Sequence, residues 1–310
     1  MTQPLTSSRR AFLAWAGSGA ALLLTGCGSG SVANQLHPKR FLIVGDGFCD
    51  QGQNGSLPTV NDGSMTWLQQ LAAYYGNGIA PVKPANQGGT AWAQAFAFIG
   101  SPDTVSGTNA PSVQTQVDTM LSSTAIANDD LVFINGGMAD IVQAVAQTGI
   151  SAATTATVQA AASALAAQVR RLTQNGGTHV ALTGVYDISI SPWAVGTGLR
   201  ISDISDLTVA FNDQLLLDIN DLGSVVLYLD AALFYNLVWH KPGDYSLSNS
   251  TTQVCTTPNA LSCNTSTLIA GVNYNKYLFA DNLHFTPVAQ RLFALSNYGS
   301  NAYQRLTYRW

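Results

Sequence analysis

Four short apolar runs punctuate the chain, each bounded by Gly or Asp: "FLIVGDG" (41–47), "DLVFINGG" (130–137), "HVALTGVYD" (179–187) and "SVVLYLD" (224–230). Runs of this length without polar alternation read as strands covered on both faces, the pattern of parallel sheets. Between them lie helix-period stretches: "MTWLQQLAAYYG" (65–76), "SVQTQVDTMLSS" (112–123), the Ala-rich "TATVQAAASALAAQVRRLTQNG" (155–176) and "DLTVAFNDQLLLDIND" (206–221). No internal repeat interrupts the alternation. It predicts one α/β domain built on a doubly wound, mostly parallel sheet flanked by helices. Ligands in such sheets bind beyond the carboxyl ends of the strands, where Gly47 and Gly137 stand.

Composition narrows the function classes. Only 10% of residues are charged, and the formal net charge is −4. No Lys/Arg stripe is available for phosphate backbones, which argues against nucleic-acid binding. The N-terminal "SSRRAFLAWAGSGAALLLTGC" carries the twin arginine Arg9 and Arg10, an apolar run and Cys27. It resembles a twin-arginine export signal closed by the lipobox "LTGC" of bacterial lipoproteins. The alternative is a membrane-spanning anchor, but the run is shorter than the ~20 apolar residues a span needs and is broken by Gly17, Ser18 and Gly19. The lipobox reading divides the chain into a signal ending at lipidated Cys27 (1–27), a flexible tether (28–39) and one domain (40–310). It places the protein in the cell envelope, on the outer membrane and facing the periplasm or the exterior.

Export bears on the other cysteines. Cys255 and Cys263 flank the turn-rich "CTTPNALSC" and are close enough to close a small disulfide ring, the alternative being two unpaired thiols. Cys49 is then the odd thiol. The histidines His37, His179, His240 and His284 are scattered, with no ligand spacing, so the sequence implies no metal and no cofactor.

The C-terminal block "YLFADNLHFTPVAQRLFA" (277–294) resembles the Asp-x-x-His motif and following helix of the SGNH or GDSL family of ester hydrolases. "GDGFCD" (45–50) is similar to that family's first block, "NQGGTAW" (86–92) to its glycine block and "NGGMADIV" (135–142) to its Gly-x-Asn-Asp block. The chain has no Gly-x-Ser-x-Gly elbow, which tells against the α/β-hydrolase fold. The resemblance implies a flavodoxin-like three-layer sandwich and a site with His284 as base, Asp281 as its orienter, and the Gly47 and Gly89 amides as oxyanion donors.

Two parts of that site are missing. Gly47 stands where the family has its nucleophilic serine, and Ala139 where it has its oxyanion asparagine, with Met138 a candidate to fill the vacated space. Losing such a nucleophile costs on the order of 10⁶-fold in kcat, and one oxyanion donor about 10²- to 10³-fold. Cys49, near the start of the helix expected after the first strand, is the one alternative nucleophile, the other role for it being a small buried thiol. The expected function is therefore a lipid-anchored, catalytically impaired monomer that binds an ester, an acyl group or an acetylated glycan. The alternative is an active carboxylesterase or lipase using Cys49 or a water activated by His284.

Overall fold

The four apolar runs become the four strands of one parallel sheet: β1 (Arg40–Val44), β2 (Asp130–Asn135), β3 (Val180–Thr183) and β4 (Val226–Leu229), in the order β1-β2-β3-β4. This is a computed structural model, and it describes residues 36–76, 78–296 and 301–310. The expected export signal, Cys27 and all but the last residues of the expected tether lie outside them. Every residue of β2 and β3 is buried, because helices cover the sheet on both faces and no position needs to be polar.

Helices α1 (Trp67–Tyr75), α2 (Val113–Ser123), α3 (Met138–Thr148), α4 (Ala152–Gln174), α5 (Pro192–Gly196), α6 (Ile201–Asp218), α7 (Ala231–His240), α8 (Pro287–Leu295) and α9 (Ala302–Arg309) follow the strands in chain order. The starts of the first four carry readable local chemistry in three cases. Thr66 and Gln69 form a capping box on α1, and the Ser112 and Ser151 side chains cap α2 and α4. Among the described residues no helix is long and apolar enough to cross a membrane.

A short crossing places the chemistry. Residues 90–94 run beside β1 on its free edge: Ile43 N–H donates to Thr90 O, Trp92 N–H to Ile43 O and Gln94 N–H to Gly45 O. The chain therefore leaves β1 to one side and later returns to the other side as β2. The two loops part between these strands, which is the switch point where open α/β sheets build sites.

A second element was not legible as a strand pair. β5 (Asn249–Gln253) and β6 (Tyr277–Phe279) form a two-stranded sheet. The sequence of β5, Asn-Ser-Thr-Thr-Gln, has no apolar face, and β6 has only three residues. This small sheet matters because the loop after β6 carries Asp281 and His284.

Candidate active site

The turn after β1 is fixed by its neighbours before any chemistry is considered. Gly45 has φ +148°, and a Cβ there would collide with Asn135 Oδ1. Gln116 of α2 clamps this glycine: Gly45 N–H donates to Gln116 Oε1 at 2.7 Å and Gln116 Nε2 donates to Gly45 O at 3.0 Å. Asp46 N–H donates to Asn135 Oδ1 at 3.2 Å, and Asn135 Nδ2 donates back to Asp46 Oδ1. Phe48 N–H reaches the same carboxylate oxygen at 3.0 Å. Burial pushes the Asp46 carboxyl up, and these donors offset part of the push.

Asp50 ties the turn to the edge segment. Its Oδ1 accepts Gly52 and Gln53 N–H at 2.8 and 3.1 Å, and its Oδ2 accepts Ala95 N–H at 2.8 Å. Burial raises this carboxyl to about 6 despite the three donors. The next residue, Phe96, adopts φ +68° and sets its ring 5.6 Å from the His284 imidazole.

The loop after β6 supplies a preformed dyad. Asp281 Oδ1 accepts His284 N–H at 2.6 Å and Leu283 N–H at 2.8 Å, and Oδ2 accepts Ala260 N–H at 2.7 Å. The His284 ring meets both oxygens through Nδ1, at 3.1 and 2.9 Å. Burial opposes the carboxylate, but the charge and hydrogen bonds of His284 bring it below its ordinary range. Burial likewise opposes the imidazolium, and the Asp281 charge and bond, with Asp46 and Asp50 behind them, raise its pKa. Nδ1 donates to Asp281, so in the neutral ring the lone pair lies on Nε2.

Nε2 is buried without a hydrogen-bond partner, and it points at Gly47. An ideal Cβ on Gly47 would lie 2.7 Å from Nε2, 3.0 Å from Cδ2 and 3.6 Å from the Ala95 Cα. The imidazole has thus closed part of the space that a side chain at 47 would fill. Gly47, His284, Met138, Asn135 and Tyr186 line a cavity of about 30 Å³, room for about two waters, and no Ser, Thr or Cys lines it. Its one hydroxyl, on Tyr186, donates to Leu283 O at 2.7 Å and is pushed well above its ordinary pKa by burial. Past Met138 and Leu283 an apolar groove of about 190 Å³ opens, walled by Phe96, Phe98, Val105 and Ala139.

Three expectations change. Gly89 is not at the cavity: its N–H donates to Pro84 O at 3.0 Å, and a Cβ on it would collide with the Lys83 carbonyl, so the tight turn alone explains the glycine. Ala95, not Gly89, is the edge-segment residue that approaches Gly47. Ala139 lines the outer groove, and its neighbour Met138, at the first turn of α3, lines the cavity with Gly47 and His284. Cys49 does not line the cavity. It is fully buried, and burial, then Asp46 and Asp50, push its thiol well above the ordinary value, which leaves no thiolate to attack. Cys255 and Cys263 are joined in a disulfide. Among the described residues no three potential metal ligands gather. Asn135 and Ala260 were not foreseen: the first ends a buried strand, and the second acts only through its backbone.

Residues 41–296, from the middle of β1 past α8, match the GDSL-like Lipase/Acylhydrolase family. The chain belongs to that family. No curated protein matches it. Two solved structures are distantly similar to this GDSL-like chain. One crystal structure aligns over 89% of this chain and 95% of its own at 13% identity and TM-score 0.44. That of Est24, a carbohydrate acetylesterase from Sinorhizobium meliloti, aligns over 87% and 95% at 12% identity and TM-score 0.41.

Proposed function

We propose that this GDSL-like protein is an exported, lipid-anchored monomer that holds a short-acyl ester beside His284 and does not turn it over by serine attack. One observation carries the reading: the cavity that contains the orphaned Nε2 has Gly47 in its wall and no aliphatic hydroxyl or thiol. A volume of about 30 Å³ suits an acetyl-sized group better than a long acyl chain, and the neighbouring apolar groove suits the rest of the ligand. An acetylated glycan or another small acetyl ester fits that description. The "LTGC" sequence at 24–27 supports anchoring, and uncharged Gly28 after it supports the outer membrane, as in the bacterial lipoproteins it resembles.

The test uses protein beginning at residue 28, with and without His284→Ala. Binding of methyl acetate, followed through the His284 imidazole resonances, together with no hydrolysis of that alkyl ester, supports the reading. Sustained methyl acetate hydrolysis lost in His284→Ala sinks it. That result would favour an active esterase in which the free Nε2 activates a water.

A further inference from the structure

Four buried side-chain nitrogen or oxygen atoms among the described residues lack a hydrogen-bond partner, and only His284 Nε2 lines the cavity. The opposite ring nitrogen is held by both oxygens of Asp281, which are in turn fixed by the Ala260, Leu283 and His284 amides. The ring is therefore locked in direction and tautomer, with a lone pair aimed at the side-chain-free face of Gly47. In a serine enzyme that lone pair is consumed by the hydroxyl proton. Here nothing consumes it. Gly47 N–H, in the same wall, makes no hydrogen bond within the protein and remains a donor for a carbonyl oxygen.

We infer that His284 is itself an acyl acceptor: an activated short-acyl ester, aryl ester or thioester, transfers its acyl group to Nε2. The inference rests on the reading that Gly47 leaves the nucleophile's place empty. The Nε2 lone pair forms a bond to the acyl carbon. The bond to the leaving oxygen or sulfur breaks, and its electron pair departs with that atom as phenolate or thiolate. The acyl-imidazolium keeps its Nδ1–H on Asp281. Water then adds to the acyl carbon, and the C–N electron pair returns to Nε2. The carboxylic acid leaves with one proton of that water, and the other proton matches the charge of the released phenolate or thiolate. Imidazole expels only leaving groups of comparable basicity, so alkyl esters, sugar acetates included, are held but not cleaved.

The experiment mixes wild-type protein from residue 28 with p-nitrophenyl acetate and, as a slower-hydrolysing probe, p-nitrophenyl dimethylcarbamate. The expected result is a burst of about one phenolate per chain and one added acyl or carbamoyl group that maps to the peptide containing His284. His284→Gln should abolish the burst, and the mapping on wild-type protein stands alone should that variant not fold. Label on a lysine or tyrosine, no burst, or a burst that persists in His284→Gln overturns the inference. Methyl acetate binding without a burst overturns it and leaves the binding reading intact, whereas sustained methyl acetate turnover with no carbamoyl label on His284 overturns both.

Discussion

The backbone amide of Ala260 donates to Asp281 Oδ2 at 2.7 Å, so a residue inside the Cys255–Cys263 ring holds the carboxylate that orients His284. The ring is itself pinned: Asn61 Nδ2 donates to Cys263 O at 2.9 Å and Ala260 O at 3.2 Å.

Opening the ring by Cys255→Ala with Cys263→Ala should cost about 2.5 kcal/mol by the loop-entropy estimate, read from urea unfolding. It should also remove the Ala260 donor, so the Asp281 carboxyl, held low in the intact protein, should titrate higher in a carbon-detected NMR series. A stability loss with no change at Asp281 would leave the ring a staple only.

Thiol labelling should distinguish the cysteines. Protein from residue 28 contains one free thiol, and because Cys49 is fully buried it should react only on unfolding. Labelling of folded protein at the rate of a free thiol would contradict that placement.

Restoring a hydroxyl should restore chemistry in a defined order. Gly47→Ser requires the His284 ring to shift, because a Cβ at 2.7 Å from Nε2 is closer than real side-chain contacts come. The variant should melt lower than wild type and show slow, His284-dependent turnover of methyl acetate, an alkyl ester that wild type holds without cleaving. Adding Met138→Asn should gain roughly 10²-fold, and adding Ala139→Asn, on the outer groove, should gain little. The opposite ranking would move the missing oxyanion donor to position 139.

Stability should fall as pH rises from about 4 towards 8. Asp50 is raised to about 6 and Asp140 to about 7, each chiefly by burial, so from their ordinary 3.8 upward the folded chain binds more protons than the unfolded one. His284, also raised, stabilises the fold in its protonated form below 6.5 and loses that contribution as pH passes its folded value. Asp103, lowered to about 2 by hydrogen bonds that outweigh its burial, acts oppositely: its contribution is present above 3.8 and lost as pH falls towards 2. Asp140→Asn should raise the melting temperature at pH 8 and leave it nearly unchanged at pH 4.

Export is testable separately. Cys27→Ser in the full chain should leave the protein unprocessed or release it from the membrane fraction, and a fully membrane-bound mature form would refute lipidation at this residue.

The four central strands were legible because burial on both faces leaves continuous apolar runs, although each ends before the glycines and acids written beside it. The His284–Asp281 pairing was legible through its three-residue spacing. Register within the other blocks was not. Gly89 lies close in sequence to Ala95, whose backbone approaches Gly47, and Ala139 is next to Met138, which lines the cavity; a flexible glycine turn or the first turn of a helix decides which residue comes close. β5 escaped because its partner strand, not an apolar pattern, makes it a strand.

Asp46 binds Asn135 and joins two strand ends, Asp50 binds Ala95 and joins the turn to the edge segment, and Asp281 binds Ala260 and joins two loops. Each acid around His284 is thus also a rivet of the framework. Selection for folding alone would preserve them, so the outline of a hydrolase site is kept by the framework independently of its reaction, and a knockout at any of the three would report on assembly before it reported on chemistry.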